Sequence, residues 1–188
     1  MNDKTQGELL NKSGKGRYTN YDAPEKLIRY VTRTNGKNNA DLIAWGGLGV
    51  TEFLGIEKII DQFYSVQIIH NRKGNFGRYV DHDVYSFSIE EENFINANKL
   101  DVDKIARKMA YDFYERDKCQ VVYGIHRSSK TDKHMHIHFA INTVNYITGK
   151  KRRENTRQTR ERETLFQQII NVNVKTPAFT EASFSAIL

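Results

Sequence analysis

Apolar positions along the chain follow two rhythms, one helical and one alternating. In DAPEKLIRYVTRTNG (22–36), Leu27, Ile28 and Val31 form a single stripe at helical spacing. Asp22 is placed to cap this helix, Pro24 and Glu25 suit its first turn, and Asn35-Gly36 ends it. The strongest amphipathic pattern comes later, where Val102, Ile105, Ala106, Met109, Ala110 and Phe113 mark a helix within residues 100–117. Strand-like segments come in two pairs. SVQIIHNR (65–72) and DVYSFSI (83–89) read as strands joined by a polar loop, and residues 119–127 and 134–146 as a second pair around the turn RSSKTDK. DLIAWGGLGV (41–50) is glycine-dense and predicts a tight connection, followed by the weakly helical TEFLGIEKIIDQF. A last helical run follows the basic stretch that opens at Gly149.

Composition narrows the class. The 188 residues carry 29 basic and 23 acidic side chains, a formal charge of +6, which favours an anionic partner: nucleic acid first, a membrane surface second. A single cysteine, Cys119, excludes an intramolecular disulfide and fits a reducing cytosol. The polar opening lacks the apolar segment of a signal peptide, and no apolar run reaches the roughly 18 residues of a membrane span. The expectation is a cytoplasmic protein without membrane insertion, divided into a mobile basic arm (1–20), one domain (21–172) and a tail of unknown role (173–188).

Four of the six histidines stand at 126, 134, 136 and 138. On a strand alternate side chains share a face, so His134, His136 and His138 line up opposite Met135, Ile137 and Phe139. A hairpin through 127–133 brings His126 beside that row, with the small Gly124 leaving room for a bulky partner. Clustered imidazoles repel once protonated, and a divalent cation removes the conflict by binding the neutral rings. Three nitrogens on one side of a metal leave positions open for substrate, as in catalytic rather than structural sites.

HRSSKTDKHMHIHFAIN resembles the third motif of the HUH relaxases, the nickases of conjugation and mobilisation, in particular the P-type family and its Gram-positive branch. KLIRYVTRTNGK is similar to the family's first motif, a helical tyrosine followed by a basic residue and glycine. The resemblance covers about residues 20–150 and implies His126, His136 and His138 as metal ligands, Tyr30 as nucleophile and His134 and Asn142 as supporting residues. It implies an α+β fold, a central antiparallel sheet of about five strands, and the alternating segments with one strong helix agree; helices are expected on one face. This chain has His126-Arg127-Ser128 where many members have His-x-Asp, and its spacer is longer. A register using His134 and His136 is the alternative; Asn142 keeps its family spacing only with 136 and 138. A carboxylate behind one metal histidine is also expected, with Glu90 or Glu91 in SIEEE as candidates.

The chemistry so implied is attack by a tyrosine on a DNA phosphate, giving a 5′-phosphotyrosyl protein and a free 3′-hydroxyl. A phenol with an ordinary pKa near 10 is a weak nucleophile, and a metal on the phosphate offsets the developing charge. Imidazoles suit Mn²⁺ or another transition metal better than Mg²⁺, which prefers oxygen. Rolling-circle initiators place the tyrosine on a downstream helix, whereas only Tyr146 follows His138 here, at a strand end. Tyr18 and Tyr21 are the alternatives to Tyr30; a rolling-circle replication initiator or transposase of the same class and a non-catalytic DNA-binding module with a structural metal are the alternative functions. Expected DNA contacts are Lys26 and Arg33 beside Tyr30, and Lys150, Lys151, Arg152, Arg153, Arg157 and Arg160 in the basic run, with Lys12, Lys15 and Arg17 of the arm in addition. Expected partners are single-stranded origin-of-transfer DNA, accessory relaxosome proteins and a coupling protein.

Overall fold

A computed structural model describes residues 6–12, 18–36, 40–70, 77–127 and 134–175, the side chains of the last helix as far as residue 171. The elements in order are β1 (Glu8–Asn11), α1 (Ala23–Val31), β2 (Leu42–Leu48), a 3₁₀ turn (Glu52–Leu54), α2 (Ile56–Ile69), β3 (Val80–Ser86), α3 (Ile89–Ala97), α4 (Val102–Asp117), β4 (Val121–His126), β5 (His136–Asn142) and α5 (Thr156–Lys175). The five strands form one antiparallel sheet in the order β1-β3-β5-β4-β2, so the histidine strand β5 is central and paired on both sides. The fold is α+β, with the palm-like sheet that the sequence implies. Among the described residues no helix is long and apolar enough to cross a membrane.

Helices cover both faces of the sheet, not one. Alternate strand residues Tyr85, Tyr123, Ile125, Ile137, Phe139 and Ile141 pack under α4 and α5, against Met109, Phe113, Phe166 and Ile170. The other face offers Val80, Val122 and Ala140 to α1 and α2, where Leu27, Ile28, Val31, Ile59, Ile60 and Phe63 are buried. This second core is small because on that face β3, β4 and β5 also carry His82, His126, His136 and His138, with Gly124 and Asn142 among them. The first core can carry most of the apolar burial, at about 25 cal/mol per Å², and leaves the second face available for chemistry.

Four local expectations change. Residues 65–69 are the last turns of α2, because Ile59, Ile60, Phe63 and Gln67 continue one buried stripe. Residues 42–48 form the edge strand β2; Gly46 and Gly47 leave room for the Tyr123 hydroxyl and for Val50, and the turn comes only at Gly49, with φ +70. Glu8–Asn11, inside the expected arm, pair with β3 and bury Leu9. β3 starts at Val80 rather than 83, and its expected last residues instead open α3, where Ser88 caps the helix. The rest of the arm's basic cluster, with Lys15 and Arg17, and the tail beyond residue 175 lie outside the described residues.

A buried ionic lattice ties the C-terminal segment down. Arg152 bonds Asp81 (2.9 Å), Asp117 (2.8 Å) and Glu154 (2.6 Å), with Asp83 at 3.4 Å. Arg162, fully buried on α5, bonds Asp112 (2.6 Å), Asp117 (2.9 Å) and Glu154, and lies over the Phe113 ring. Each guanidinium fork meets carboxylates from several elements, the arrangement that makes burial of charge tolerable.

Candidate active site

The β4–β5 register builds the histidine cluster. His126 pairs directly with His136, and Gly124 with His138, so all three imidazoles rise from one face of two neighbouring strands. One nitrogen from each ring lies within 4.8 Å of the other two. The second nitrogens are held from behind. His126 Nε2 donates to the Val31 carbonyl (2.8 Å), and His136 Nδ1 donates to the His134 carbonyl (3.0 Å). His138 Nδ1 lies 2.8 Å from His82 Nε2.

These bonds fix which nitrogens can bind a metal. A carbonyl only accepts, so the proton of His126 is on Nε2 and its lone pair on Nδ1; that of His136 is on Nδ1 and its lone pair on Nε2. Among the described residues, His126 Nδ1 and His138 Nε2 are buried without a hydrogen-bond partner. Two orphaned buried nitrogens that converge are costly unless something else occupies the space between them. Burial pushes the His126 pKa down to about 4, helped by nearby Arg33 and His136, and burial holds His138 well below the usual imidazole range, helped by His82 and His136. Both rings are therefore neutral at neutral pH, the form that ligates. The donor set, three imidazoles of which two are neutral and buried, fits a divalent transition metal.

Tyr30 stands over this cluster. Its ring centroid is 5.2 Å from that of His138 and 6.1 Å from those of His126 and His82, in edge-on contacts. Helix α1 reaches the sheet because Gly124 lacks a side chain: a Cβ there would collide with the Val31 carbonyl. That same carbonyl holds His126, so the residue after Tyr30 supports the histidine trio. Tyr30, Tyr18, Lys12, Lys26, His136 and His138 share the lining of one open cleft of about 670 Å³.

Other sequence candidates are distributed differently. Arg33 is largely enclosed: its guanidinium lies 4.7 Å from the Tyr30 ring centroid and forms a two-pronged pair with Asp41 (2.9 and 2.7 Å). Asp41 holds the Arg33 pKa up and Arg33 holds that of Asp41 down, so both stay charged. Arg33 thus orients the tyrosine rather than offering a loose phosphate contact. Lys26 remains exposed at the cleft, paired with Asp22 at its surface. Arg152 is excluded as a DNA contact by its burial in the ionic lattice. Lys150, Arg153, Arg157 and Arg160 are exposed and Lys151 half-buried. Lys150, Lys151 and Arg153 follow the far end of β5, whose seven residues from His136 to Asn142 span about 20 Å at ~3.3 Å per residue, and Arg157 and Arg160 lie on α5, which packs on the opposite face.

Glu91 lies on the opposite face, accepting from the Tyr85 hydroxyl (3.0 Å) and closing a capping box with Ser88; it does not support a histidine. Glu90 is exposed on the same first turn. His134 contributes its carbonyl, while its ring is half-exposed, 4.0 Å from Glu92. Asn142 bonds Phe63, Gln67 and Gln120 and knits α2 to the sheet, away from the trio. The functional neighbour that sequence reading missed is His82, buried on β3 behind His138. Its signal was period-two alternation with Val80, Val84 and Ser86, hidden by starting that strand three residues too late.

No curated protein gives a significant match to the chain. The family model described as "Relaxase: MobA/VirD2-like, nuclease domain" matches residues 30–172, from Tyr30 through the histidine hairpin and most of α5. That span is well over half of the sequence, and the chain belongs to this relaxase family.

Proposed function

We propose that this relaxase domain nicks and rejoins one DNA strand at the transfer origin of a plasmid or mobile element, with Tyr30 as nucleophile and His126, His136 and His138 as metal ligands. The observation that carries the reading is convergence: one nitrogen from each of three histidines lies within 4.8 Å of the other two, and the Tyr30 ring stands over them beside a cleft lined by His136 and His138. The finer assignment is to the P-type, Gram-positive branch, acting in the bacterial cytoplasm with accessory relaxosome proteins and a coupling protein, and passing to the recipient attached to the DNA. A peptide map of the protein–DNA adduct separates it from a rolling-circle initiator or transposase, which would label another tyrosine.

A bound Mn²⁺, Mg²⁺ or similar ion would supply a Lewis acid for the phosphate oxygens. The protein's own groups do the rest. The Tyr30 hydroxyl loses its proton as its oxygen bonds to phosphorus, and the bond from phosphorus to the 3′ oxygen breaks. The leaving 3′ oxygen takes up a proton, leaving a 5′-phosphotyrosyl protein and a 3′-hydroxyl. One phosphodiester replaces another, so the reverse attack religates. Arg33, fixed by Asp41, keeps the phenol ring in place, and Lys26 and Lys12 offer charge to the strand in the cleft.

The test is incubation with single-stranded origin DNA and Mn²⁺, followed by denaturing electrophoresis. A covalent adduct is expected; Tyr30→Phe should abolish it, and His136→Ala should reduce it by about 100-fold or more. An adduct that survives Tyr30→Phe removes Tyr30 from the role.

A further inference from the structure

Behind His138 the hydrogen bonds continue for two more groups. His82, on β3 opposite Ala140, is buried, with Nε2 2.8 Å from His138 Nδ1 and Nδ1 2.8 Å from the Tyr18 hydroxyl. The Tyr18 ring meets His82 edge-on at 5.8 Å. Tyr18 adopts φ 59, a left-handed conformation uncommon for a residue with a side chain, and its carbonyl is held by the Tyr79 amide at 2.9 Å. The backbone thus accepts a cost that directs this ring at His82.

A neutral imidazole has one donor and one acceptor nitrogen. If His138 presents the Nε2 lone pair to a metal, its proton is on Nδ1 and must be given to His82 Nε2. The His82 proton is then on Nδ1 and is given to the Tyr18 oxygen. Only this direction is compatible with ligation, and every step of it is within bonding distance.

We propose that His82 and Tyr18 are positioning residues for the metal centre: they lock His138 in its ligating tautomer, the task a carboxylate performs behind many metal-bound histidines. The inference rests on the metal reading of the histidine trio. It has a consequence for substrate. A carboxylate partner would bring a negative charge into the site, whereas His82 is neutral and leaves the cation's charge undiminished for a phosphate diester. It also makes the segment before α1 part of the metal centre.

Titration of the metal-free full chain with Co²⁺ alone, read by visible absorbance and calorimetry, tests this. The parent should bind. His82→Phe, which keeps a ring but has no acceptor, should weaken binding about 10- to 100-fold. His82→Gln, whose carboxamide oxygen reaches the place of Nε2, should recover most of it, and Tyr18→Phe should cost about 3- to 10-fold. Melting of the metal-free forms controls for folding, and the histidine nitrogen spectrum of the loaded protein should show the His138 proton on Nδ1. Binding by His82→Phe within about twofold of the parent overturns the proposal and leaves the metal site standing, as does a His82→Gln no better than His82→Phe. A parent that takes up no Co²⁺ removes the metal reading itself.

Discussion

Two buried polar clusters lie in this fold, and they are built on opposite terms. In the Arg152–Arg162 lattice, two guanidinium groups share Asp81, Asp83, Asp112, Asp117 and Glu154, and each carboxylate has a guanidinium beside it. In the histidine cluster, two buried nitrogens meet nothing within the described residues. The first arrangement is complete without a ligand and fixes α5 and the segment before it to the sheet. The second is incomplete by two hydrogen bonds, a deficit that selection for stability would remove. Saturated polar clusters mark architecture, and convergent unsaturated ones mark a site.

The largest effect expected from this contrast is on the lattice. Arg162→Ala should take one guanidinium partner from each of Asp112, Asp117 and Glu154, leaving Asp112 only the longer Arg116 contact, and cost about 3–5 kcal/mol in urea unfolding. A loss under about 1 kcal/mol would show that the lattice is not structural. Gly124→Ala should come next: its methyl meets the Val31 carbonyl, so α1 must lift, at about 1–3 kcal/mol. The same change should lower the DNA adduct more than proportionately, because Tyr30 and His126 lose their relation together. If stability falls and adduct yield per folded molecule does not, the link between helix and metal site is wrong.

Acid should affect the histidine side third. His126 has a folded pKa near 4 against an unfolded value near 6.5, so the unfolded chain binds more protons between those limits. The neutral ring's contribution is intact above about pH 6.5 and is lost progressively towards pH 4. Metal-free protein should lose roughly 1–2 kcal/mol between pH 7 and pH 5, read as the urea midpoint. His126→Gln should flatten that slope; an unchanged slope would assign the acid sensitivity elsewhere. The smallest effect belongs to the exposed Arg157–Glu161 pair, where Arg157→Gln should change stability by less than about 0.5 kcal/mol.

The legible parts of the sequence were those where one period governs an entire element. The stripes of α1 and α4 and the alternation of β4 and β5 gave the helices, the hairpin and the histidine row. β2 was missed because its glycines accommodate side chains from β4 and from the turn that follows, a cause that local composition cannot reveal. The charge run misled for the same reason. Arg152 and Arg162 are sequence neighbours of exposed cations, but their partners come from β3 and α4, dozens of residues away. Glu91 looked available for a histidine, and local capping and the Tyr85 hydroxyl claimed it. His82 and the Arg33–Asp41 clamp needed the assembled sheet to become visible.

One peptide unit separates the phenol-bearing residue from the carbonyl that grips His126. Covalent geometry, which does not vary with temperature, thus sets part of the spacing between the phenol and the histidine trio. Any movement of α1 therefore carries the phenol-bearing residue and that carbonyl together relative to the histidines on β4 and β5, so a helix shift that misplaces Tyr30 also loosens His126.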